Sequence, residues 1–95
     1  MDGSHIAALE TSFEKLLAAL GPTLTPEQAT EVRDFLDVGE YGLALETAIG
    51  VLVEEGLRPS APAVTMIGDL AARMGIADGP LVRDFRGRFA MVGLG

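Results

Sequence analysis

The chain has no cysteine and a single histidine among its 95 residues, and these two shortages remove most of the usual catalytic inventory. Without cysteine there is no disulfide framework, no thiolate nucleophile and no thiolate metal site, which fits a reducing compartment. His5 alone cannot build the clusters that acid/base or metal chemistry uses, and its place beside the N-terminus reads as a solvated terminal histidine. No apolar run approaches the roughly 18 residues that cross a bilayer. The N-terminus also lacks the basic start of a secretory signal, so a cytoplasmic product with no membrane partner is expected. Positive charge is scarce too: seven Lys and Arg stand against fourteen Asp and Glu, for a net charge of −7. Phosphate contacts need an excess of cations, so nucleic acid is not an expected partner.

What is present is apolar periodicity and unevenly distributed acid. Residues 1–56 hold eleven acids and two bases, whereas residues 57–95 hold three acids and five arginines. The first half is an acidic surface and the second is mildly basic. From Ser4 to Leu20, the residues Ile6, Leu9, Phe13, Leu16, Leu17 and Leu20 recur at spacings of three and four and form one helical stripe. Gly21 and Pro22 end that helix, Gly21 as a left-handed cap and Pro22 because it cannot continue. Thr25, Pro26 and Gln28 spell a helix start with a capping box, which predicts a second helix from Pro26 to about Val38. Its inner face is Ala29, Val32, Phe35 and Leu36, and its outer face carries Glu27, Glu31 and Asp34.

Gly39 turns the chain into a third helix, with Glu40 in its first turn and Gly56 at its stop. Tyr41, Ala44, Leu45, Ala48, Ile49 and Leu52 share its apolar face, flanked by Val51 and Val53. Leu43, Glu46, Thr47, Gly50 and Glu54 fall opposite, so Leu43 is an apolar side chain set among acids, the pattern of a binding patch centre. Ser60 N-caps a predicted fourth helix reaching Met74, with Val64, Ile67, Leu70, Ala71 and Met74 as its stripe and Gly75 as its stop. A fifth is predicted from about Pro80 on Leu81, Val82, Phe85, Phe89 and Val92, fraying after Arg86, where Gly87 weakens it. With no period-two alternation, no repeat and no low-complexity tail, the fold class is all-α: one domain over residues 1–95, a compact bundle of four or five short helices.

Few constellations could carry chemistry. Glu27, Glu31 and Asp34 lie on a convex face with no pocket to raise a pKa, so no catalytic residues are assigned and the chain is read as a non-enzyme. Glu27 and Glu31 lack the Glu-x-x-His partner of di-iron bundles, no Gly-rich phosphate loop is present, and no helix-start serine suits a phosphopantetheine carrier. No cofactor and no metal are expected. One nucleic-acid signal stands as the alternative reading: residues 67–88 resemble a helix-turn-helix, with Ala71 four residues before Gly75 and Arg83, Arg86 and Arg88 on the following helix. Gly79 and Pro80 occupy the start of that second helix, where base-reading side chains are expected.

The segment Gly39, Glu40, Tyr41, Gly42, Leu43, Ala44, Leu45, Glu46, after a helix ending in an acid and a glycine, resembles the MafI-type immunity proteins of bacterial polymorphic toxin systems. The likeness covers about half the chain and includes the Ile67–Met74 helix. It implies a small helical protein that binds and neutralises a cognate toxin domain, often a nuclease, in the cytoplasm of the producing cell. It also implies that the shared core of the motif is scaffold, because such proteins diverge most where they meet their toxins. Tyr41, Ala44, Leu45 and Ala48 are accordingly read as packing. The expected partner-binding residues are the outward ones: Glu27, Glu31, Asp34, Asp37, Glu40, Leu43, Glu46, Thr47 and Glu54.

Overall fold

The computed structural model describes the backbone of residues 3–94 and the side chains of residues 6–89. Five helices follow one another: α1 (Gly3–Leu20), α2 (Pro26–Asp37), α3 (Tyr41–Glu54), α4 (Ala61–Arg73) and α5 (Pro80–Leu94). No strand occurs among the described residues, so the architecture is an all-α bundle. Its radius of gyration is 12.5 Å, close to the roughly 12 Å that a compact chain of this length adopts.

Local chemistry fixes where these helices begin. At α2 the Thr25 hydroxyl accepts from the Gln28 amide at 3.1 Å, and the Gln28 side-chain oxygen accepts from the Thr25 amide at 2.9 Å. That reciprocal pair is the capping box the sequence spelled. Ser60 does half of the same for α4, accepting from the Ala63 amide at 3.3 Å.

Three helices end by one device. Gly39, Gly56 and Gly75 have φ of 77°, 63° and 72°, a left-handed backbone that costs other residues about 1–2 kcal/mol. The following amide then reaches back to close the helix: Glu40 to the Phe35 carbonyl at 2.9 Å, Leu57 to Leu52 at 3.0 Å, and Ile76 to Ala71 at 2.9 Å. The end of α1 is different, and here the expectation of a left-handed Gly21 is wrong, since Gly21 has no positive φ. The reach-back bond would have to come from the residue after the glycine, which is Pro22, and proline has no N–H to give. The chain instead tightens through Gly21–Thr23, with the amides of Thr23 and Leu24 both bonding to the Leu20 carbonyl at 2.8 Å. That turn drops Leu24 into the core.

Packing follows the stripes. α3 is the centre of the bundle: α2 makes the most extensive interface with it, and α4 and α5 also pack on it. Ala44, Leu45, Ala48, Ile49 and Leu52 of α3 are all buried. α1 lies on α4 and reaches α3 through Phe13, whose ring stacks on Tyr41 at a centroid distance of 6.1 Å. α2 runs antiparallel to α3, because Gln28 near the start of α2 donates a hydrogen bond to Glu55 at the end of α3. α5 continues through Gly87 to Leu94, past the expected fray after Arg86. Phe85 and Phe89, in contact at 4.8 Å and both buried, hold it down, so tertiary packing outweighs the poor helix propensity of glycine. The side chains of His5 and Val92 lie outside the described residues. Among the described residues the core holds no polar or charged side chain, and no buried polar side-chain atom lacks a partner.

Candidate partner-binding surface

Each of the nine outward residues can be placed. Glu27 lies in the first turn of α2, Glu31 and Asp34 follow along it, and Asp37 is its last residue. Glu40 is the N-cap of α3 but makes no side-chain capping bond. All five are exposed, as are Glu46 and Glu54, while Thr47 is half-buried. Leu43, in the first turn of the apolar helix α3, is 45% exposed. Because α2 and α3 form one antiparallel hairpin, their outer faces lie on the exterior of the same unit. None of its seven carboxylates joins an ion pair among the described residues, where the pairs are Arg33–Glu14 at 2.8 Å and Arg88–Asp84 at 3.3 Å. Their negative potential is therefore projected into solvent rather than quenched by neighbours.

The middle of the outer face of α3 is Gly50. A methyl built there meets nothing within 4 Å, and the backbone is ordinary helix. Neither packing nor conformation requires glycine, and glycine in a helix interior costs roughly 0.5–1 kcal/mol relative to alanine. Gly50→Ala is accordingly expected to stabilise the protein by about that amount, raising the thermal midpoint followed by circular dichroism. A lowered midpoint would show that the face is covered by something the backbone must approach closely.

One inward assignment needs correction. Ala44, Leu45 and Ala48 are buried as expected, but Tyr41 is only half-buried. Its ring rests on Phe13 and its hydroxyl sits beside Glu10; partial burial first, and then the Glu10 carboxylate, raise its pKa above the ordinary tyrosine value. Tyr41 therefore belongs to both the scaffold and the surface. Helical projection places Tyr41 in the middle of the apolar face, but it is the first residue of α3, with no preceding turn of its own helix to close over it.

The arginines of α5 occupy the other side of the charge division. Arg83, Arg86 and Arg88 are exposed. Arg88 pairs with Asp84 one turn away, and the Arg86 guanidinium lies 3.9 Å from the position a Cβ would take at Gly68, so it is laid over α4. Arg88 and Arg58 also flank a groove floored by Leu52, Val53, Pro59 and Phe89. Among the described residues no group of three His, Cys, Asp or Glu side chains could hold a metal ion, and no helix is long and apolar enough to cross a membrane.

Fold and surface together define an all-α bundle with an acidic hairpin on its exterior. No protein-family model matches the chain, and no curated protein or solved structure is significantly similar to it.

Proposed function

We propose that this chain is an immunity-type protein, a member of the MafI-like group its central motif resembles, which binds and neutralises a cognate toxin domain. One observation carries the proposal: seven exposed carboxylates, none ion-paired among the described residues, run along the α2–α3 hairpin, with an exposed leucine near its Gly39 turn. A surface of this kind attracts a basic partner, speeds the encounter by electrostatic steering, and offers an apolar centre once the partner has docked. Nuclease active sites are basic because they hold phosphate, so an acidic hairpin can take the substrate's place and occlude such a site. The protein then acts by binding, without a cofactor, in the compartment where toxin and inhibitor are both made.

The helix-turn-helix alternative draws less support. The connection from α4 to α5 spans residues 74–79, longer than the three or four residues of that motif's turn, and two of the three arginines are engaged with α5 and α4 themselves.

Co-expression with the product of the adjacent gene tests the proposal. The expected outcome is a stoichiometric complex that survives affinity purification and an otherwise toxic partner rendered harmless. Absence of a complex, together with binding to duplex DNA that weakens steeply with salt, would transfer the assignment to a DNA-binding regulator.

A further inference from the structure

The large apolar side chains exposed among the described residues are Ile6, Val38 and Leu43, and all three lie at one end of the bundle. Ile6 lines an open cleft of about 570 Å³ formed by the start of α1, the Gly39–Gly42 segment and the end of α4. Val38 and Leu43 flank the Gly39–Gly42 segment on either side. Of the three, Ile6 lines the cleft itself, and an exposed apolar side chain in a concave site is the arrangement of an interface anchor point, where a rim of near-neutral contacts keeps water from a central side chain.

We infer that this cleft receives one long cationic side chain, an arginine or lysine, projected by the partner. The inference rests on the reading of the partner as basic, and it names where on the surface that partner is anchored. The walls suit such a group along its length. Ile6, Leu9 and Met74 supply apolar surface for an aliphatic stem. The Tyr41 ring, fixed by stacking on Phe13, offers a π face for a cation. Glu40 lines the cleft without a capping bond to hold its carboxylate, and Glu10 lies beside the Tyr41 hydroxyl. A guanidinium or ammonium arriving there finds in Glu40 a charge-assisted acceptor that joins no ion pair among the described residues.

Arg73 also lines the cleft and would favour an anion instead. Its guanidinium, however, is already engaged, donating to the Ser12 hydroxyl at 2.9 Å, and it is outnumbered by two carboxylates, Glu40 on the cleft wall and Glu10 beside Tyr41. The net preference is for a cation.

The test needs no toxin. ¹⁵N-labelled protein is titrated with four probes of one length, n-butylguanidinium, n-butylammonium, n-butyrate and n-butanol, and the amide shifts of residues 39–43 and 73–76 are followed. The guanidinium is expected to saturate those shifts about tenfold more tightly than butanol, the increment of one charge-assisted contact. Glu40→Gln should reduce it to the butanol level. Gly42→Leu, where an added Cβ enters open space at the cleft wall, should abolish all binding while keeping the helix content and not lowering the thermal midpoint. Tighter binding of butyrate, equal binding of butanol, or no saturable shift would each overturn the inference. Because the probes act in the absence of a partner, this result and capture of a toxin can succeed or fail separately.

Discussion

Replacing Glu31, Asp34 and Glu46 together by lysine is expected to slow association with the partner by at least about tenfold at low ionic strength, since charge steering raises encounter rates by roughly 10 to 10³. The three residues are exposed on the outer faces of α2 and α3 and lack ion-pair partners among the described residues, so their loss breaks nothing within the fold. The far-ultraviolet circular dichroism should be unchanged. The control reverses Asp69, Asp78 and Asp84, which are also exposed and alter the net charge equally, at the loss of the surface Arg88–Asp84 pair, which contributes at most about 1 kcal/mol. If steering by the hairpin is the cause, the control binds at close to the native rate, and the defect of the first variant shrinks as salt shortens the Debye length below about 10 Å. Equal association rates for the native protein and the hairpin triple variant would remove the hairpin from the interface.

The second large effect is on stability. Phe13 has no exposed surface and joins α1 to α3 through Tyr41. Phe13→Ala removes a whole ring from a closed core, a change that costs about 3–5 kcal/mol. A domain of this size has roughly 5–14 kcal/mol in total, and each kcal/mol moves the thermal midpoint by about 4–8 °C. Phe13→Ala should therefore melt far below the native protein, whereas Leu43→Ala, at an exposed site, should stay within about 0.5 kcal/mol of it. Similar midpoints for the two variants would contradict the placement of Phe13 at the centre of the packing.

These two residues also mark what could be read from the chain. Phe13 was legible because burial of a helix stripe follows from spacing alone, and the same holds for Leu45, Ile49, Ile67 and Phe85, all fully or almost fully buried. The helix ends at Gly39, Gly56 and Gly75 were legible because each glycine is followed by a residue with an amide to donate. The end of α1 is not legible from Gly21 alone, because its successor Pro22 has no amide to donate. Buried residues between helices escaped as well. Leu24 and Pro59 are in the interior, but periodicity says nothing of turns. The candidate surface divides in the same way. The acids could be placed outside from the helical projection, but the cleft could not, because it is made by three segments distant in sequence, Ile6, Gly39–Gly42 and Arg73–Met74. The visible hint was Gly42, a glycine in the first turn of α3 with no conformational or packing need to be one.

Because the core holds no buried polar or charged side chain among the described residues, the outer surface can be rewritten without touching the interior. No outward residue is wired to a partner inside, so rewriting the outer faces of α2 and α3 leaves the forces that close the bundle untouched. Recognition and folding are then nearly independent inheritances of one short chain. A library varied at Glu31, Asp34, Leu43, Glu46 and Gly50 should yield mostly folded clones, from which inhibitors of unrelated basic enzymes could be selected on the same scaffold.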